Sequence, residues 1–202
     1  LNDVFEKYCP NITKFLNEHP DLAKDCATDD GTYYCCPFFR GESYENNSLL
    51  FSEGPVYRMD ILKSLGFENP PETAEEFYEV LVAIKNAGVV EIPFSIRAEH
   101  INRMLAPAFD SWDTWYVEDG QVKHGYLDDN RYDYLAFVNK LYTEGLLDND
   151  YMSVNKNGMN SMFLSGRVAV AYNPGSLIGN AVATMPDAEI SSAKPLSSVK
   201  GQ

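Results

Sequence analysis

Residues 54–88, GPVYRMDILKSLGFENPPETAEEFYEVLVAIKNAG, constrain the fold more than any other stretch of the chain. The run 55–59 is extended in character. Val56 and Arg58 fall on one face and Tyr57 and Met59 on the other, because side chains alternate along a strand. A helical turn over 60–65 is predicted next, stopped by Gly66. After the proline-bounded loop 67–72, Thr73 and Glu76 have the spacing of a capping box, in which the hydroxyl accepts from the N3 amide and the N3 carboxylate returns the bond. Phe77, Val80, Leu81 and Ile84 then form one apolar stripe at helical spacing. Gly88 sits where a left-handed residue closes the helix. Each of these residues has a packing or capping explanation, so the stretch specifies structure and not chemistry.

The rest of the chain alternates between the two periodicities. Residues 1–22 read as helical pieces broken at Pro10 and Pro20, with Val4, Phe5, Tyr8, Ile12, Phe15 and Leu16 as their apolar stripe. Asp29-Asp30-Gly31 marks a turn, and a strand is expected over 32–39. Residues 41–48 are polar and read as a linker, which sets a domain boundary after residue 42. Beyond the opening stretch, 89–96 (VVEIPFSI) reads as a buried strand. Its Pro93 lacks a ladder donor and points to an edge or a bulge. A helix is expected over 99–109, with Ile101, Met104, Leu105 and Ala108 on one face. A hairpin follows, 115–117 and 122–126, turning at Asp119-Gly120. Asn130 is the expected cap of a further helix, buried through Tyr132, Leu135, Val138 or Asn139, and Tyr142, and ended by Gly145. A weaker helix over 155–165 ends at Gly166. A strand over 168–172, the turn Asn173-Pro174-Gly175-Ser176 and a last helix over 177–185 complete the pattern. Strands alternating with helices imply an α/β lobe with a mixed sheet and flanking helices.

The 202 residues carry a formal net charge of −14. So acidic a surface repels phosphate backbones, which argues against nucleic-acid binding. No apolar run approaches the length of a membrane span. The chain opens at Leu1 without a signal peptide and is expected to be a processed or truncated piece. The four cysteines, Cys9, Cys26, Cys35 and Cys36, contain no Cys-x-x-Cys pair, and His19 is the one imidazole near them, which argues against a zinc site. A Cys9–Cys26 disulfide and free thiols both remain open.

Several motifs occur in a fixed order. Tyr57-Arg58-x-Asp60 precedes Leu65-Gly66 and Pro71-x-Thr73-x-x-Glu76-Phe77. Asp119-Gly120 lies in a hairpin, Leu141-Tyr142-x-Glu144-Gly145-Leu146-Leu147-Asp148 ends a helix, and Phe163-x-x-Gly166-Arg167-Val168-Ala169 opens a strand. This series resembles the extracellular solute-binding proteins of ABC importers, of the sugar-binding type that includes maltose-binding protein, and most closely their lipoprotein subgroup in Gram-positive bacteria. The resemblance implies a type II periplasmic-binding-protein-like fold, incomplete at both ends. Residues 1–42 would be a remnant of the first lobe with its crossover, and residues 43–202 a truncated second lobe. It further implies a sugar or oligosaccharide ligand, permease subunits as partners, no cofactor, and an extracellular or periplasmic location with membrane attachment only through a lipid anchor outside this stretch.

Sugar recognition needs aromatic faces for C–H patches and polar side chains for hydroxyls. Three places supply them. Arg97-Ala98-Glu99-His100 follows a strand end, where ligands of open α/β sheets sit, and gives Arg97, Glu99 and His100. The competing reading is a solvated helix start, with Glu99 favoured near the dipole. In Asp110-Ser111-Trp112-Asp113-Thr114-Trp115, Trp112 and Asp113 lie in the loop and are the candidates, whereas Trp115 opens a strand and is expected to pack inward. Asn173 stands in a strand-to-helix turn that carries an aromatic residue in many members of the family and Pro174-Gly175-Ser176 here.

A hydrolase would need two carboxylates, for which Asp110/Asp113, Glu75/Glu76 and Asp128/Asp129 are the pairs available. No nucleophile motif, phosphate loop or calcium loop accompanies them: Asp148-Asn149-Asp150 lacks the glycine and glutamate a calcium loop requires. No catalytic or metal-ligating residue is therefore assigned. A surface interaction module without a small ligand is the remaining alternative.

Overall fold

The computed structural model of the chain describes residues 1–38 and 53–199. Two compact units divide it, Leu1–Leu50 and Phe51–Gln202. The expected linker over 41–48 and the boundary after residue 42 lie outside the described residues.

In the first unit, helices α1 (Asn2–Tyr8), α2 (Pro10–Glu18) and α3 (Pro20–Cys26) follow one another, and a proline opens each of the last two. Proline suits that position because its missing N–H has no intrahelical acceptor. Phe5 and Leu16 are buried, while Val4 and Tyr8 of the expected stripe are exposed. The strand expected over 32–39 does not form across its described part, 32–38. Local side chains take the backbone bonds that a ladder would use. Asn2 donates to Gly31 O and accepts from Tyr33 N, and the Leu1 ammonium donates to Tyr33 O. All four cysteines are free thiols.

In the second unit, strand β1 (Glu53–Arg58) runs into helix α4 (Met59–Ser64). Arg58 clamps this junction, donating from Nε and Nη2 to the two oxygens of Asp60 at 2.8 and 2.6 Å. Helix α5 (Ala74–Ala87) is capped by Thr73, whose hydroxyl accepts from Glu76 N, and ended by Gly88 at φ 62°. The Glu76 carboxylate accepts from Glu72 N, one residue before the cap. Strand β2 (Ile92–Ser95) is shorter than the run 89–96 suggested. Three abutting helical pieces replace the single helix expected over 99–109: a 3-10 turn at Ala98–His100, α6 (Ile101–Leu105) and a second turn at Ala106–Phe109.

Strands β3 (Trp115–Glu118) and β4 (Gln121–His124) form the hairpin, with Asp119 and Gly120 both at positive φ, as a type I′ turn requires. Helices α7 (Asn130–Thr143) and α8 (Lys156–Leu164), strand β5 (Val168–Pro174), helix α9 (Ser176–Thr184) and strand β6 (Ile190–Ser192) complete the unit.

The main sheet has the order β2-β5-β1-β6. β2 is parallel to β5, and β1 is antiparallel to both β5 and β6. Pro93 therefore lies on an outer strand, where a lost donor is tolerated. Helices cover both faces. Tyr57 and Met59 join Phe77, Leu81, Ile84, Phe94, Tyr134 and Leu141 in the larger core, and Val56 joins Phe163, Val168, Leu177 and Ala181 in the smaller one. The expected alternation along β1 thus serves two cores at once.

Helix α7 departs from expectation at its start and on its buried face. Its N-cap position is Asp129, and Asn130 instead donates through Nδ2 to Asp110 O at 2.7 Å. Tyr132, Leu135 and Tyr142 are exposed, and the helix buries Tyr134 and Leu141 with Phe137 and Val138 partly covered. Both stripes have helical spacing. Tyr134 wins because its hydroxyl reaches Asn102 Oδ1 at 2.7 Å and its ring lies under the Arg131 guanidinium.

Candidate functional site

The strand directions bring four backbone ends to one edge of the sheet. β2 and β5 run parallel, so Arg97, just past β2, and Asn173, near the end of β5, lie at the same end. β1 is antiparallel to β5, and Glu53 pairs with Pro174 and Gly54 with Asn173, which places the start of β1 there. β6 is antiparallel to β1, so Ala193 and Lys194, following it, reach this end as well. Ligands of open α/β sheets sit outside such strand ends.

Glu53 organises the charges at this edge. Its Oε2 lies 3.1 Å from His100 Nδ1 and 3.5 Å from Arg103 Nη1, and its Oε1 lies 3.8 Å from Arg97 Nη2. The imidazole contact is close but off the hydrogen-bond line, so Nδ1 is buried with no hydrogen bond among the described residues. Arg97 Nη1 donates to Glu99 Oε1 at 2.6 Å. The His100 ring packs on the Tyr172 ring, centroids 5.5 Å apart. Arg97 and His100 are therefore not a solvated helix start, since both side chains are largely covered while Glu99 stays in water.

Burial pulls His100 below the ordinary imidazole range, and the Arg97 and Arg103 charges add to that against the pull of Glu53 and Glu99. Burial first, and the Glu53 charge second, raise the Tyr172 hydroxyl. For His100 the sign gives a test. A lowered folded-state value means that the unfolded chain binds this proton first, so stability declines as pH falls below about 6.5. His100→Gln flattens that part of the profile in urea titrations between pH 5 and pH 8. An unchanged profile would refute the assignment.

Asn173 is fully covered. Its Nδ2 donates to Asn160 Oδ1, and its Oδ1 has no partner among the described residues. It lines a cavity of about 310 Å³ together with Glu53, Gly175, Ile178, Ser192 and Lys194. That volume is at the lower end for small-ligand sites. Glu53 thus belongs both to the cavity wall and to the Arg97–His100 cluster, joining four of the six expected residues.

Trp112 and Asp113 are placed by other contacts. Asn102 Nδ2 donates to Asp113 Oδ2 at 3.1 Å, and the same Asn102 accepts from Tyr134. Trp112 is half exposed and borders a second concavity of about 540 Å³ with Asp110, Tyr116, Lys123 and Asp128. Trp115, expected to pack inward, is 68% exposed. The hairpin is a two-stranded ribbon standing in water, so its ring rests edge-on against His124 at 4.7 Å.

Glu53 and Lys194 escape a reading of local motifs. Glu53 precedes the strand pattern and looks like an ordinary solvated acid, and only its pairing with residue 174 reveals its neighbours. Among the described residues, no group of His, Cys, Asp and Glu is arranged to hold a metal ion.

No protein-family model matches the chain. It is 30% identical over 165 residues to the fructooligosaccharide ABC transporter substrate-binding protein FusA of Streptococcus pneumoniae, covering 74% of this chain and 30% of FusA. The chain is a homologue of the ABC-transporter substrate-binding proteins. The lipoprotein LipO of Bacillus subtilis is 28% identical over 150 residues, 66% of this chain and 29% of LipO. The crystal structure of the alginate-binding protein AlgQ2 superposes with a TM-score of 0.78 at 24% identity, covering all of this chain and 43% of AlgQ2, and it establishes the fold. The chain spans less than half the length of each of these relatives. The mixed sheet with helices on both faces is thus part of a type II solute-binding-protein fold. No helix among the described residues of this substrate-binding-protein homologue is long and apolar enough to cross a membrane.

Proposed function

We propose that the chain is part of an extracellular solute-binding protein that captures an oligosaccharide by closure of two lobes and presents it to the permease subunits of an ABC importer. The observation that carries this reading is the 30% identity to FusA, a protein named for fructooligosaccharide binding. In this reading residues 43–202 form most of one lobe, residues 1–42 belong to the other lobe and the crossover, and a lipid anchor holds the protein at the cell surface, as the lipoprotein LipO suggests. Arg97, Glu99, His100 and Asn173 contact the sugar at the strand ends, and Trp112 and Asp113 supply an aromatic face and an acceptor from the neighbouring loop. Contacts made only when both lobes meet the ligand favour the closed state. The relatives are named as binding proteins, which supports a non-catalytic role.

Isothermal titration of the intact protein against kestose, nystose, raffinose and maltotetraose tests the proposal, with a peptide and a polyamine as controls. Saturable heat is expected for at least one sugar. Heat from the peptide or the polyamine alone would remove the carbohydrate reading.

A further inference from the structure

Glu53 faces three basic side chains contributed by two other segments of the fold. Arg97 Nη1 is held by Glu99 and Nη2 faces Glu53, while Nε is buried without a hydrogen-bond partner among the described residues. With His100 neutral, the two arginines and the two glutamates cancel. Lys194, on the cavity rim, is exposed like Arg103 and Glu99, so all three charges are screened, and the covered pair of Arg97 and Glu53 is itself neutral.

From this balance we infer that Glu53 sets the charge class of the ligand, so that the strand-end site takes an uncharged glycan and excludes one bearing carboxylates. The inference rests on the sugar-binding reading above and narrows it. A sugar hydroxyl can donate to the Glu53 carboxylate and accept from an arginine or His100, and both bonds are charge-assisted. A uronate carboxylate meets Glu53 and Glu99 as like charges, and finds each guanidinium already facing an acid. The chain's net charge of −14 adds a long-range repulsion of the same sign.

The test is calorimetry on the intact protein with two sets of probes: the neutral oligosaccharides named above, and trimannuronate as the carboxylated glycan. Wild type is expected to bind a neutral sugar and give no heat with trimannuronate. Glu53→Gln removes the shared acceptor and leaves the arginines in excess. Neutral binding should weaken about tenfold or more, and trimannuronate binding should appear.

Glu99→Gln alters an exposed residue and leaves Glu53 in place, so it tests the charge balance even if Glu53→Gln folds poorly. It too should admit trimannuronate. A readout that needs no ligand is the proton NMR titration of the His100 ring, whose midpoint should move to lower pH in Glu53→Gln because a neighbouring negative charge is gone. Neutral binding untouched by Glu53→Gln, or wild-type affinity for trimannuronate equal to that for neutral sugars, would overturn the inference and leave the solute-binding reading intact. Silence toward every glycan would remove both.

Discussion

Replacing Phe77 with alanine should lower the unfolding free energy of the Phe51–Gln202 unit by about 3–5 kcal/mol, as phenylalanine truncations in close-packed cores do. The ring is fully buried and meets Phe94 edge to face at 5.2 Å, so it joins α5 to the outer strand of the sheet. Because Phe77 is central to the stripe it shares with Val80, Leu81 and Ile84, the surrounding side chains have little freedom to collapse into the space left. Urea titrations of wild type and Phe77→Ala measure the difference, and an unchanged dependence on urea concentration would show that the unit still unfolds as one. A loss under about 1 kcal/mol would mean that the core refills, contrary to the packing described.

A second large effect is expected from the smallest possible substitution. Gly125 follows the hairpin, its amide donates to Thr114 O at 3.1 Å, and the main chain of Trp112 fills the space that a side chain at this position would need. A β-carbon there would overlap the Trp112 carbonyl oxygen, which is backbone and cannot rotate away. Gly125→Ala should therefore push the Trp112 loop off the base of the hairpin and destabilise the chain by about 1–3 kcal/mol. Its tryptophan emission should shift relative to wild type. If Trp112 faces the sugar, affinity falls in the same variant. Unaltered emission together with unaltered stability would show that the contact is relieved without cost.

Much of the architecture was legible in sequence because local rules and tertiary packing agree. Thr73, the Phe77 stripe and Gly88 each favour the same helix over the same residues, and Asp119-Gly120 supplies the positive φ values that its turn requires. The misses occur where local signals leave two outcomes nearly equal. Helix α7 has two apolar stripes, and Asn102, distant in sequence, decides between them by bonding the Tyr134 hydroxyl. Residues 32–38 have strand-like composition, but Asn2 satisfies backbone groups there. Trp115 looks like a core residue because it is large and apolar, yet it stands on a two-stranded ribbon that no other described residues bury. In the site, Arg97, Glu99 and His100 could be nominated from their place after a strand. Glu53 could not, because its significance comes from strand pairing, which no contiguous motif encodes.

The pairing of β1 with both β5 and β6 bears on when the strand-end site can exist. Glu53 stands at the head of the second unit, whereas its strand partner at residue 174 and the cavity neighbour Lys194 come much later in the chain. Contacts of such sequence separation form late, since long loops must close before they are rewarded. A partly folded chain holds Arg97, Glu99 and His100 close together but has not yet fixed Glu53 beside them. The arrangement of Glu53 with Arg97 and His100 is therefore complete only once the sheet is.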